Sequence, residues 1–471
     1  MALVPVNLTG GSYTHKSLPL SAQVTRNFWP QKQDNDKTMS SYALISYPGY
    51  SLFGTQAGGI DRGMFEHQGI LYKVTGTTLY TVSSTGVHTS CGTIAGSGRC
   101  IFAPIGTYIV ISTGGVRYLW NGSSIATISD VDLETGNSVA HLNNQIIYDG
   151  LAGRFFVSDV GDATAINALN YATAESDADN LQRVYAFNSI LYLMGTKTIE
   201  LWYNSGNGNP PFDRYEGGTI NVGLGAIYSV ANDDDSIYFY GDDDQVYVMR
   251  GGVSASLTPI TNLALSDEFR EYGTVSDAIG WMTNFDGQWQ YHLTFPTANK
   301  TWVYNVGGEW FELSSGAEGG RALSNSYAFC FRKHLVADYQ NGNIYVLDDD
   351  VYTENGATII RTRDSAPIHG GLLNAPSKNL WMNRFELLME TGVGILSGQG
   401  SDPVVMLSFS DDGGRTFSNE LWGKIGKLGQ FQWRVEWFSL GQFKNRIIRI
   451  RVSDPVAVAI FSAAAEIEVG V

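Results

Sequence analysis

Ile70-Leu-Tyr-Lys-Val-Thr-Gly-Thr-Thr-Leu-Tyr-Thr-Val82 reads as a strand, a tight turn and a second strand. Tyrosine and β-branched residues suit a pleated, half-buried surface, and a Thr-Gly-Thr centre supplies the turn. Six further stretches read the same way: 108–120, 145–158, 189–203, 236–250, 288–304 and 334–347. The seven starts have a mean step of 44 residues. A repeat of roughly 40–50 residues that carries strands and no helices is the pattern of propeller blades. The copies share pattern and not residue identity. They predict an all-β chain, a β-propeller of seven blades with six as the alternative count.

Texture changes along the chain mark its parts. Residues 1–40 are polar and irregular, with Asn35-Asp36-Lys37 near their end, and read as an extended N-terminal arm. Residues 41–365 carry the repeats. Within them, 163–182 reads as a long loop, and Leu263, Leu265 and Phe269 at helical spacing predict one short amphipathic helix over 262–272. Ala366-Pro367-Ile368-His369-Gly370-Gly371 reads as a linker, and 366–471 as a C-terminal β-sandwich of five strands. In the fourth, Arg449 and Arg451 alternate with Ile448, Ile450 and Val452, giving one buried and one wet face.

Composition narrows the function. Glycine is 54 of 471 residues, above the usual share of about 7%. Only 16% of residues are charged, against about 25% in ordinary domains, which suits a surface that is covered by self-assembly. There are 46 acidic and 30 basic residues, a net charge of −16. Residues 401–471 are balanced, so the acidic excess lies in the first 400. Sequence-independent DNA binding works by setting Lys and Arg against phosphate, which this balance opposes. Cys91, Cys100 and Cys330 form no disulfide or zinc pattern and suit a reducing compartment. The N-terminus lacks a basic region and a long apolar core, so no signal peptide is expected, and no run is long enough for a membrane helix.

Three groups of residues could carry chemistry. Ser410, Asp412, Gly414, Thr416 and Phe417 fit the Asp-box pattern Ser-x-Asp-x-Gly-x-Thr-aromatic, which resembles the boxes of sialidase-type propellers. There the Asp ties off turn amides, the Gly takes a positive φ and the aromatic plugs the hairpin. A single copy outside the repeats predicts a structural brace. Asp233, Asp234, Asp235 and Asp242, Asp243, Asp244 form two acidic runs, and 348–350 a third. Calcium needs six to eight oxygens at fixed offsets, and the spaced Asp-x-Asp-x-Asp-Gly loop is missing, so these read as solvated turns. The aromatic pairs Trp202-Tyr203, Trp310-Phe311 and the stretches 302–304 and 433–438 could line a sugar groove but read as inter-blade core. The seven histidines are scattered, and no metalloprotease, nucleophile-elbow or phosphate-loop motif is present. No catalytic residue, metal or cofactor is expected. The competing reading is a propeller-fold glycan-binding domain or sialidase-like glycoside hydrolase, for which no carboxylate pair can be nominated.

The order of local signatures resembles the packaged-DNA stabilization proteins of short-tailed phages. It runs Asp61-Arg62-Gly63, Leu71-Tyr72-Lys73-Val74, Ile94-Ala-Gly-Ser-Gly-Arg99, Gly195-Thr-Lys-Thr-Ile-Glu200, Val222-Gly-Leu-Gly225, and 408–413 with 449–455. The resemblance implies a virion tail protein assembled in the host cytoplasm, a subunit of a hexameric hub or nozzle ring beneath the portal and the head-to-tail adaptor. Such a ring retains packaged DNA, offers attachment to tail fibres, tailspikes or a needle, and lets DNA pass without tight binding. The acidic turns are then candidates for lumen-facing positions. The first 40 residues and the Asp-rich turns do not follow the family pattern.

Overall fold

A computed structural model describes residues 2–33, 40–174, 179–252, 256–317 and 319–470; the Asn35-Asp36-Lys37 run lies outside the described residues. Regular structure is almost all strand. The quoted stretch forms Ile70–Thr75 and Thr78–Val82, paired antiparallel across a turn in which Gly76 takes a φ of +55°. A Cβ there would also press on the Gly58 carbonyl, so the turn requires glycine twice over. These two strands are the middle pair of a four-stranded antiparallel sheet bounded by Asp61–His67 and His88–Thr93.

Four more separate four-stranded sheets follow, over 101–127, 139–173, 181–220 and 231–259. Two further four-stranded meanders are embedded in larger sheets. One runs from Ile279–Phe285 to Glu309–Ser315. The other takes Ser324–Cys330, Lys333–Asp338 and Ile344–Asp348, and its fourth strand is Gly49–Gly54 from the far end of the chain. We number these seven units in the order given.

Apolar clusters sit between neighbouring units. Val74 meets Ile109 and Ile111; Val110 meets Ile146; Val157 meets Leu193; Leu201 meets Phe239; Tyr238 meets Tyr291; Val303 meets Val336. Leu71 and Met64 of the first unit pack against Leu335 and Ala337 of the last, which closes the circle. A middle strand is therefore covered on both faces, and this is why Ile190–Gly195 and Ser236–Tyr240 are buried at every position. The predicted helix is Leu263–Glu271, capped by the Asn262 side chain, which accepts from the Leu265 amide at 2.9 Å.

The expected loop over 163–182 is instead the strand Asp162–Thr173 followed by the first strand of the fourth unit, with 175–178 outside the described residues. The strand carries few large apolar residues, and its buried positions Ala163, Ile166 and Asn170 do not fall at a period of two, because its pairing with Arg154–Asp159 shifts register. The expected N-terminal arm is likewise woven into sheets. Ala2–Val6 pairs with Ala459–Val469, Phe28–Lys32 pairs with Tyr42–Ser46, and Thr25–Arg26 bridges Glu312 to Thr362. These pairings recruit Val4, Val6, Leu8 and Phe28 into the C-terminal core.

That core lies between two sheets. One contains Leu380–Met389, Val435–Phe443 and Ala459–Val469; the other contains Val404–Ser410, Leu421–Lys424 and Asn445–Val452 and continues through Arg361–Asp364 into the sixth unit. Ile448, Ile450 and Val452 are fully buried, while Arg449 and Arg451 remain partly exposed, as their alternation requires.

Burial sets an acid limit. His292 stacks on Trp281 at 3.6 Å, contacts the Tyr47 hydroxyl at 3.3 Å, and is held far below the ordinary histidine range by desolvation. Desolvation likewise lowers His141 and His334, and together with Lys73 pulls His88 down to about 4. Unfolding frees each ring to take up a proton below about 6.5, so the unfolded state binds more protons and native stability falls with pH. Tm measured from pH 7 down to 4 is expected to drop through this window. A flat Tm there would mean that these rings are already solvated.

Candidate functional site

The Asp-box sequence folds as its residue types require. Asp412 accepts hydrogen bonds from the amides of Arg415 and Thr416, at 2.9 Å each, and from the Thr416 hydroxyl at 2.6 Å. Ser410 donates to Asp412 at 2.7 Å and accepts from the Gly414 amide at 2.8 Å. The bonds from Thr416, then those from Ser410 and Arg415, hold the Asp412 carboxyl well below the usual carboxylate range. Phe417 lies under the Arg449 guanidinium at 3.5 Å, and Asp364 holds that guanidinium through two oxygens at 2.7 and 2.8 Å. Asp411, the unmarked residue of the pattern, pairs with buried Arg446, which also stacks on Phe409 and Phe443. Gly414 has a φ of +90°, and a Cβ would stand 2.8 Å from that of Ala22. Gly414→Val should therefore lower Tm more than Asp412→Ala, because it strains the backbone and displaces the N-terminal segment together. Equal Tm values for Gly414→Val and the parent chain would show that the hairpin braces nothing.

Asp233, Asp242, Asp243 and Asp244 each accept hydrogen bonds from neighbouring groups. Asp233 is a correction to the expected solvated tip: it is buried, accepting from the Asp235 and Ser236 amides and from the Tyr238 hydroxyl. Asp234 and Asp235 are exposed beside a cleft of about 520 Å³ lined also by Arg250, Tyr192 and Trp289. Asp242 accepts from the Gly223 amide and Lys197, Asp243 from Tyr247, and Asp244 from Tyr240. Since 233–235 precedes the strand Ser236–Tyr240 and 242–244 follows it, the runs occupy opposite faces of the propeller. The three carboxylates of 348–350 approach within 4.8 Å of one another on an otherwise exposed turn, where Asp348 accepts from the Asp350 amide.

Burial raises two carboxyls that sequence reading did not single out, Glu268 and Glu354. Both are occupied structurally, Glu268 by the Tyr272 hydroxyl at 2.8 Å and Glu354 by the Ser315 hydroxyl at 2.5 Å. The aromatic stretches divide. Trp202, Trp302, Trp310, Phe311 and Trp437 are core, whereas Trp433 and Phe438 are exposed on the sandwich. Trp422 and Phe431 are exposed too, at 70% and 73%, and with Leu428 they give this domain an unusually apolar surface. No described helix is long and apolar enough to cross a membrane.

A propeller followed by a sandwich can be set against known families. Residues 4–352 match the family model described as Bacteriophage P22 Gp10, beta-propeller, and residues 368–468 match that described as Bacteriophage P22 Gp10, beta-sandwich. The chain belongs to the bacteriophage P22 Gp10 family. It is therefore a structural tail protein of a phage virion. Comparison with curated proteins gives no match. Among solved structures, the Neurospora crassa Pan2 WD40 domain aligns at 11% identity and a TM-score of 0.42, over 64% of this chain and 95% of that one. BamB from Moraxella catarrhalis aligns at 11% identity and a TM-score of 0.39, over 74% of this chain and 97% of that one.

Proposed function

We propose that this chain is the subunit of a closed ring, sixfold in symmetry, that continues the portal–adaptor channel of a short-tailed phage. The ring retains packaged DNA and carries fibres, tailspikes or a needle. The observation that carries this reading is the match to both Gp10 domains in order along one chain. In our reading each of the seven four-stranded units is one blade, 41–365 is the propeller and 366–471 the sandwich, with the N-terminal segment lacing the two together.

Two physical features support assembly. A heterologous contact closes into a ring when its rotation permits, and the exposed Trp422, Phe431, Trp433 and Phe438 are the kind of side chains that such contacts bury. A charge of −16 per subunit opposes a tight grip on DNA, so retention is mechanical, by a plug or constriction. Asp234 and Asp235, or Asp242, Asp243 and Asp244, then face the lumen, but not both sets at one rim. The Asp-box residues Ser410, Asp412, Gly414, Thr416 and Phe417 brace the sandwich and take no part in chemistry.

Co-expression with the portal and adaptor proteins tests the proposal. Recovery of a complex containing six copies of this chain is expected. A chain that is never incorporated, under conditions where portal and adaptor join, would overturn it.

A further inference from the structure

A cavity of about 250 Å³ lies where distant parts of the chain meet. Asp286 lines it from the turn between Ile279–Phe285 and Gln288–Phe295 of the sixth unit. Asp349 and Asp350 line it from the turn after Ile344–Asp348 of the seventh. Glu390, just beyond Leu380–Met389, comes from the sandwich, and Trp29 from the N-terminal strand Phe28–Lys32. One concave space thus gathers four carboxylates from three places.

These carboxylates lack a counter-charge. No lysine or arginine lines the cavity, and none of the four acidic side chains forms an ion pair or accepts a hydrogen bond among the described residues. Arg361, whose guanidinium lies 5.9 Å from the Tyr352 ring in the cavity wall, is turned to the carbonyls of Asp454 and Tyr352. His334 packs on Phe285 at 4.9 Å, and burial holds it below the ordinary histidine range although Asp286 and Asp349 pull the other way, so it is uncharged at neutral pH. A cleft lined by one sign of charge focuses its potential and draws in counter-ions. A second observation, independent of the charges, points to a ligand. Trp29 lines the same cavity, is 1% exposed, and its indole Nε1 has no hydrogen-bond partner. Its edge-on neighbour Phe285 offers no acceptor, whereas a buried indole N–H ordinarily has one.

We propose that this cavity binds a hydrated divalent cation of the calcium type. Such a cation takes six to eight oxygens in flexible geometry. Carboxylate oxygens of Asp348, Asp349 and Asp350 lie within 4.8 Å of one another, close enough to share one ion. Asp286 and Glu390 face that ion from the sixth unit and the sandwich. The cavity has room for several waters beside the ion, and one of them accepts from Trp29 Nε1. Ligands from distant segments thus take the place of the spaced acidic loop. The bound ion fastens the last two units of the propeller to the sandwich. This inference does not depend on ring assembly.

The test is thermal unfolding of the purified full-length chain, stripped with a chelator and titrated with calcium chloride or magnesium chloride at matched ionic strength. Calcium is expected to raise Tm saturably and beyond magnesium, as binding to the native state requires. Terbium excited through indole should luminesce beside Trp29 and be displaced by calcium. Glu390→Gln and Asp286→Asn alter exposed side chains, should fold by circular dichroism, and should each weaken the apparent calcium affinity by about tenfold. Two variants on separate elements keep the test decisive should either fail to fold. Equal Tm in calcium, magnesium and chelator overturns the proposal. So does a calcium response that Asp350→Asn removes and that Glu390→Gln and Asp286→Asn leave intact, since that is loose attraction to one acidic turn. Equal or stronger stabilisation by magnesium overturns the calcium reading.

Discussion

Removing residues 1–54 is expected to abolish cooperative folding of the propeller, although every other strand of its seven units remains in the chain. Gly49–Gly54 is the outer strand of the last unit, antiparallel to Ile344–Asp348, and without it that unit presents an open edge. Tyr50 is buried against Tyr345. The same deletion removes Phe28 and Trp29, which are 0% and 1% exposed, and truncating a single such side chain costs about 3–5 kcal/mol. It also removes Asn27, which accepts from the Ser314 amide at 2.9 Å and donates to the carbonyls of Ser314 and Ile360 at 3.0 and 2.9 Å. Against a total stability of about 5–15 kcal/mol, these losses leave no margin. The truncated chain should bind a hydrophobic dye and show no sharp thermal transition. A chain lacking only residues 1–8 keeps the closing strand and should retain a sharp one, with Tm lowered through the sandwich. A cooperative transition close to the parent Tm in the chain that starts at residue 55 would show that the propeller closes without its N-terminal strand.

Asp411→Ala is expected to destabilise the sandwich by about 1.5–3 kcal/mol, because it removes the two-oxygen partner of a buried cation. The Arg446 side chain is 1% exposed, and its Nε and Nη2 donate to the two oxygens of Asp411 at 2.7 Å each. Its remaining donors reach the carbonyls of Leu440 and Gln442, and both faces of the guanidinium are covered by rings, Phe409 at 4.0 Å and Phe443 at 4.4 Å. The Asp411 side chain is itself 40% exposed, so water can enter the space it leaves and limits the loss. Replacing both residues, as Asp411→Ala with Arg446→Met, removes the stranded charge and should recover much of the loss, since an unbranched apolar chain can occupy the slot between the rings. Chemical denaturation of the parent, the two single variants and the double variant gives the coupling directly. Additive losses in the double variant would show that the pair is solvated in practice and that Arg446 stabilises through its stacking alone.

Several features were legible in the residues because they are local. Alternating apolar residues around tight turns predict strands, and the 44-residue step predicts repetition, since each middle strand must be covered on both faces by its neighbours. Asp412, Gly414 and Thr416 could be assigned from their types because a turn amide needs an acceptor within a few bonds. The short helix was legible from the same periodicity, with Leu265 and Phe269 buried, although Leu263 proved exposed. The strand Asp162–Thr173 was not, because Ala, Asn and Thr carry too little hydrophobic contrast to mark a face.

What only the tertiary structure decided depends on partners distant in the chain. The polar composition of residues 1–40 suggested an extended arm. Its backbone groups instead satisfy the edges of both domains, with Thr25–Arg26 meeting residues 312 and 362. Asp233 looks like its neighbours Asp234 and Asp235, yet it is buried because Tyr238 and two turn amides converge on it. Asp411 looked incidental beside the marked residues of its box until Arg446 was found buried beneath it. Local chemistry determined the elements; the covering of each element by distant neighbours determined which side chains are strained, buried or left wanting a partner.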